Sequence, residues 1–275
     1  GALTTDTGVT FQYEKRKQPG AVFEVTAAAD IVRADGTTVY KKGEVIKSGL
    51  KTDASGSVSL KNLYLGSYKI TETKAPANLI CKGESKEITL SYAGQTVETV
   101  VEEITFTNDR QKANATVVKK DIDTEKPLAG GVYALYAGND IKNVDGSVIV
   151  KKGTLIEKAT TGADGSALYQ ADLPIGNSYD VKEDKAPNLY VRNTTDVFTF
   201  HFQYTTDKEA TVKFTHTFKN DHVNATIHLI KKDAKTGSIP QGDATLEGAV
   251  YGLYAKNDIV HPDGQTGVLY KAGTK

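Results

Sequence analysis

Residues 130–141 read GGVYALYAGNDI, and the same phrase stands twice more, as GAVFEVTAAADI at 20–31 and GAVYGLYAKNDI at 248–259. Each copy is followed by a hairpin signature built on Asp-Gly: ADGTTVYKKG at 34–43, VDGSVIVKKG at 144–153 and PDGQTGVLYKAG at 262–273. Further turn signals at Ser55-Gly56 and Asp164-Gly165 cut the chain into short alternating runs, and no amphipathic helix stands out. The reading is all-β, and the recurrence makes it a tandem array of β-sandwich repeats.

The rest of the repeat fixes its length. TDASGSVSLKNLYLGSYKITETKAP at 52–76 matches TGADGSALYQADLPIGNSYDVKEDKAP at 161–187, and the endings ITFTNDR and VKFTHTFKNDH also correspond. The copies lie about 111 residues apart, so two units are expected at 1–111 and 112–222. Residues 223–275 open a third and stop before its KxxxAP strand, about half of a domain. The chain has neither Met nor Trp, and without an initiator Met it is expected to be a processed or excised piece of a longer chain.

Composition excludes several classes. With 34 basic and 34 acidic residues nothing points to nucleic acid or an anionic membrane as partner. No apolar run approaches membrane length, so no membrane insertion is expected in this stretch, and no signal-peptide pattern is present. The single cysteine, Cys81, excludes an internal disulfide framework, so an extracellular protein of this kind needs another source of stability.

Strand parity supplies a candidate. In unit two, Val117 shares a face with Lys119, Tyr179 and Val181 with Glu183, and Val212, Phe214, His216 and Phe218 with Asn220. A Lys, a Glu and an Asn thus each end a mostly apolar row. Unit one repeats this with Phe11, Tyr13 and Lys15, with Tyr68, Ile70 and Glu72, and with Ile104, Phe106 and Asn108; unit three contributes Ile227, Leu229 and Lys231. Strand-end polar residues are commonly exposed rim groups, but the same three types at the same parity in successive units favour a buried trio. Burial lowers the pKa of an amine and raises that of a carboxyl. A neutral lysine can then attack the Asn carboxamide while the Glu polarises it and shuttles protons, leaving a Lys–Asn amide and ammonia.

At these residues the chain resembles the Cna B-type, or SpaA-like, prealbumin-fold repeats of Gram-positive surface proteins and pilins. The resemblance rests on Lys119-Lys120-Asp121 and Lys231-Lys232-Asp233, on PLAGGVYALY, LPIGNSY, TETKAP and KEDKAP, and on terminal strands ending in Asn. It implies a prealbumin-like sandwich and spontaneous isopeptide bonds: Lys119 to Asn220 with Glu183 assisting, and Asn108 as acceptor with Glu72 assisting in unit one. The unit-one donor stays open. Lys15 continues the apolar row directly and is preferred as the partner of Asn108; Lys17 has the same parity, and a repeat without a bond is the alternative. Lys231 would be the donor of the incomplete third unit. The resemblance further implies an extracellular place on a Gram-positive surface, anchored through regions outside this sequence.

The leading expectation is a structural stalk or shaft whose partners are neighbouring repeats of the same chain. A module binding host matrix protein or glycan through its loops is the rival. A turnover enzyme fits less well, since the only chemistry expected is a single autocatalytic event without cofactor or metal. His201, His216, His222, His228 and His261 make no close metal-ligand motif, and neither a G-x-S-x-G elbow nor a P-loop occurs. Cys81 reads as an apolar filler near the position of Val191, and the N-x-T motifs at Asn114, Asn193 and Asn224 as coincidence.

Overall fold

The structure, a computed structural model, describes residues 1–237, 239–242 and 244–275. Its regular elements are all strands. The first two, β1 (Ala2–Thr5) and β2 (Gly8–Phe11), form a hairpin. Unit one follows with β3 (Val22–Ala27), β4 (Ile31–Val32), β5 (Thr38–Tyr40), β6 (Val45–Lys51), β7 (Gly66–Lys74) and β8 (Ser85–Leu90). Unit two runs through β9 (Lys112–Asp121), β10 (Val132–Ala137), β11 (Ile141–Lys142), β12 (Val148–Val150), β13 (Leu155–Thr160), β14 (Ser166–Leu168), β15 (Asn177–Lys185), β16 (Val197–Phe202) and β17 (Thr211–Asn220). Among its described residues the third segment holds one strand pair, the hairpin β18 (Ile259–Val260) and β19 (Val268–Tyr270).

Unit two is a closed sandwich. An antiparallel sheet of order β13-β10-β15-β16 faces a sheet of order β14-β9-β17, in which β9 and β17 are parallel neighbours. The period-two pattern of their sequences becomes alternating burial, with Val117 and Lys119 inward on β9, Tyr179, Val181 and Glu183 on β15, and Phe218 and Asn220 on β17. Gly165 lets β14 lie this close to β9: it has φ +77°, and a Cβ there would sit 2.5 Å from the Lys119 carbonyl oxygen.

Unit one repeats the first sheet strand for strand, β6-β3-β7-β8. Among the described residues it has no second sheet. Its buried cluster is confined to Val25, Ala27, Ile31 and Tyr68, whereas that of unit two extends from Val9 to Phe218. Residues 104–108 keep the alternating exposure of a strand but join no ladder.

The cause lies at the start of the chain. The sequence assigns residues 1–111 to unit one, yet the β1–β2 hairpin packs on unit two. Val9 and Phe11 are buried in its core, and a Cβ on Gly8 would lie 2.2 Å from the Ile156 carbonyl oxygen. Tyr13 extends the contact, donating to the Asp172 carbonyl at 2.7 Å beneath the Arg110 guanidinium, 3.4 Å from its ring centroid. The apolar row expected to open unit one is thus spent on the deeper apolar surface of unit two.

The two units meet at a tight joint. Gln111 is fully buried; its amide donates to Thr205 Oγ1 at 2.6 Å and the Glu209 carbonyl at 2.8 Å, and its Oε1 accepts from the Thr205 amide at 3.2 Å. Asp207 of the same loop accepts from the Ala75 amide at 3.1 Å, and its carbonyl accepts from the Cys81 amide at 2.9 Å. The Asp-Gly hairpin is built alike in all three segments. Asp30, Asp140 and Asp258 each accept a backbone amide at 2.8 Å, from Lys42, Lys152 and Ala272.

Candidate functional site

Unit two brings the predicted trio together. Lys119 is fully buried, and Glu183 and Asn220 are each 2% exposed. β9 and β17 run in register, with Phe218 opposite Lys119 and Asn220 opposite Asp121. The Lys119 amine donates to Asn220 Oδ1. Asn220 Nδ2 donates to Glu183 Oε1 at 2.7 Å and to the Val191 carbonyl at 2.8 Å, which fixes the plane of the carboxamide. Glu183 is held by two further donors, the Tyr133 hydroxyl at 3.2 Å on Oε1 and the Asn193 amide at 2.5 Å on Oε2.

The walls are aromatic. The Tyr133 and Phe218 rings lie 4.6 Å apart. Burial pulls the Lys119 amine down to about 8, against the opposing pull of Glu183, Asp121 and Asp196. Burial, and then the neighbouring Glu183 carboxylate, raise the Tyr133 phenol well above its ordinary range, so it stays a proton donor. A shallow groove lined by Val191, Asn193, Lys219 and Asn220 opens beside the acceptor and offers small molecules a way out.

Unit one holds two of its three expected residues. Glu72 is 2% exposed, and Asn108 Nδ2 donates to its Oε2 at 2.7 Å and to the Ile80 carbonyl at 3.0 Å, the same arrangement as Asn220 with Glu183 and Val191. Burial raises the Glu72 carboxyl above its ordinary range, against the Asn108 hydrogen bond. Lys15 is not brought to this pair. It is exposed, in a stretch without regular structure, as is Lys17. The row that would carry Lys15 inward is docked on unit two through Phe11 and Tyr13, whereas the Lys17 backbone lies against Gly56 of unit one with its side chain exposed. Lys231 is also exposed, in a segment that forms no strand.

Three features of the site are not apparent from parity. Tyr133 pairs with Glu183 across β10 and β15, and its counterpart opposite Glu72 is Phe23. The hydroxyl is therefore missing in unit one, and Glu72 Oε1 is buried without a hydrogen-bond partner. Comparison of the two phrases GGVYALY and GAVFEVT already contains that difference. Second, Cys81 stands where unit two has Arg192, one residue from its expected counterpart. Its thiol donates to the Glu72 carbonyl at 3.4 Å, and Arg192 Nε donates to the Glu183 carbonyl at 3.2 Å. Third, Asp123, Asp221 and His222 converge within 4.8 Å at the far pole of unit two, two of them exposed. His201 and His216 do not meet: His201 bonds the Ser178 hydroxyl, and His216 bonds Asp196 at 3.0 Å.

The family model described as SpaA, prealbumin-like fold domain, matches residues 10–105 and 113–218. The trypsin-resistant surface T6 protein of Streptococcus pyogenes is 26% identical over 144 residues, half of this chain and 26% of that protein. Among solved structures the Bacillus anthracis TIE protein is 25% identical, with a TM-score of 0.46, over 77% of this chain and 32% of that one. The shaft pilin of Lactobacillus rhamnosus GG is 14% identical, with a TM-score of 0.30, over 76% of this chain and 90% of that one. The chain thus spans about a quarter of the T6 protein and about a third of the TIE protein.

Proposed function

The chain belongs to the SpaA family of prealbumin-like fold domains, and from that premise we propose that it is a stretch of load-bearing stalk on a Gram-positive cell surface. In this reading unit two is locked by an amide between Lys119 and Asn220. The observation that carries the proposal is the buried contact of amine, carboxamide and carboxyl in unit two. The similarity to a streptococcal surface protein supports the surface role.

The chemistry follows from the environment. Neutral Lys119 attacks Cγ of Asn220. Glu183, hydrogen-bonded to the departing nitrogen, takes the proton from Nζ and passes it to Nδ2. The Cγ–Nδ2 bond breaks, ammonia leaves, and the new amide N–H takes over the bond to Glu183. Placing the groups in contact supplies the effective concentration that an amide exchange otherwise lacks. The event happens once per molecule and needs no cofactor.

The mechanical consequence comes from topology. The chain enters unit two at Lys112 on β9 and leaves at Asn220 on the parallel strand β17. Tension therefore shears these two strands along their shared ladder. A bond from Lys119 to Asn220 passes the load from β9 to β17 covalently and bypasses most of the domain between them. It joins residues 101 positions apart, and closing a loop on the order of 100 residues is worth roughly 4–5 kcal/mol on the cross-link entropy scale. The buried Gln111 joint suits the same role, since it fixes unit one to the end of unit two where load enters.

Intact mass tests the proposal. The chain should weigh one ammonia less than its sequence, with the loss mapped to a Lys119–Asn220 linked peptide, and Glu183→Ala should restore the full mass. A wild-type mass equal to the sequence mass would overturn the bond.

A further inference from the structure

The joint between the units holds a second meeting of a nucleophile, a carboxamide and a carboxylate. Gln111 is fully buried immediately before β9, and Thr205 and Glu209 lie in the loop that leads into β17. The Gln111 amide nitrogen donates to Thr205 Oγ1 at 2.6 Å. That hydroxyl in turn donates to Glu209 Oε2 at 2.5 Å, the short separation typical of a hydroxyl on a carboxylate. The Thr205 backbone amide donates to Gln111 Oε1 at 3.2 Å. Satisfying a buried carboxamide asks only for a hydroxyl oxygen and backbone groups of the loop. The Glu209 carboxylate on the far side of the hydroxyl is not needed for that, and it polarises an oxygen already seated against the carboxamide.

We propose that Thr205 and Gln111 become joined by an ester, which ties the end of unit one to the loop ahead of β17. The inference is independent of the amide in unit two, since it uses other residues and an oxygen nucleophile.

The groups present suffice for the step. The Gln111 carboxamide turns about its Cγ–Cδ bond and presents Cδ to Thr205 Oγ1. As the oxygen attacks, Glu209 Oε2 takes the hydroxyl proton. The Thr205 backbone N–H faces Gln111 Oε1, where negative charge builds. The Cδ–Nε2 bond then breaks, Nε2 receives the proton from Glu209, and ammonia leaves. Thr205 and Glu209 are exposed, so the ammonia departs directly into solvent. A hydroxyl is a weaker nucleophile than a neutral amine, and this bond should therefore form after any bond in unit two.

The position gives the ester a mechanical meaning. β9 and β17 run in register from Lys112 opposite Thr211 to Asp121 opposite Asn220. Gln111 and Thr205, 94 positions apart in the chain, meet at the first end of this ladder. Load arriving from unit one would then enter both strands together instead of β9 alone.

Intact mass and peptide mapping of the whole chain, held at mildly alkaline pH, test the proposal. A further ammonia should be lost over time, mapped to a Gln111–Thr205 linked peptide. Hydroxylamine should cleave that link, leaving free Thr205 and a hydroxamate at Gln111, while an amide between Lys119 and Asn220 survives. Thr205→Val should abolish this loss, Thr205→Ser should keep it, and Glu209→Gln should slow it by about a hundredfold. No Gln111–Thr205 peptide after prolonged incubation overturns the ester, as does a link that hydroxylamine leaves intact or a loss that Thr205→Val retains. Each link is read from its own peptide, so absence of the Lys119–Asn220 peptide counts against the bond of unit two and leaves the ester standing.

Discussion

Glu183 and Glu72 stand at the same place in two copies of one repeat, each buried, each bonded by the side chain of a terminal asparagine. Around Glu183 every oxygen is engaged and a lysine lies in contact with the acceptor. Around Glu72 one oxygen has no partner and the lysine is missing. The difference is one strand. Where β9 pairs with β17 the sandwich closes and the trio is complete; where no matching strand pairs, half the sandwich and two of the three residues remain. The proposed reaction thus asks for the closed sheet and not for the residues alone.

The sharpest way to break this comparison is to remove the proposed bond from unit two. Asn220→Ala should lower the stability of unit two by roughly 4–5 kcal/mol, the cross-link term, and leave unit one unchanged. Calorimetry would resolve this as one transition moving and one fixed. The variant also frees the amine. An amine lowered to about 8 contributes stability that is present above its ordinary value of 10.5 and lost as pH falls through 8, a dependence the amide-linked wild type should lack.

Next comes the joint. Gln111→Leu leaves the Glu209 carbonyl and the Thr205 amide without their partner. It should cost about 1–3 kcal/mol and let the two units melt more independently. No change in either transition would mean that the buried contact does not couple them.

Exchanging the aromatic partners tests the carboxyl environments. Phe23→Tyr should give Glu72 Oε1 the hydroxyl that Tyr133 gives Glu183, stabilising unit one by about 1 kcal/mol. Tyr133→Phe should slow bond formation in unit two, read as intact mass against time. The raised Glu72 carboxyl also predicts a pH dependence. Its contribution is full below its ordinary value of 4.5 and is lost as pH rises through its higher folded value, so unit one weakens with rising pH. Phe23→Tyr should flatten that slope, measured by denaturant titration at several pH values.

The smallest effect expected is at a turn. Leu189 adopts φ 72° where unit one has Asn78 at φ 67°. Asparagine adopts the left-handed region at less cost than leucine, so Leu189→Asn should stabilise unit two by about 1 kcal/mol or less. A loss of stability would show that the leucine side chain makes a contact worth more than the strain.

The sequence by itself determined the strands, the repeat and the polar residues that face inward. These depend on local pattern: Tyr179, Val181 and Glu183 must share a face because a strand alternates, whatever lies around it. Three of the four donor and acceptor positions in the two units are where parity puts them. Only the tertiary structure decided the fourth. Lys15 continues an apolar row as well as Lys119 does, but a row states only that it will be buried, not on which surface. The Val9–Phe11 row went to the deeper cluster of unit two, helped by a glycine that admits close approach to Ile156. The loss of the Glu72 partner is in part legible, since Phe23 replaces Tyr133 in plain sight. That the replacement leaves a buried oxygen unpaired depends on which residues face one another across two strands, and such pairing is set by the fold as a whole.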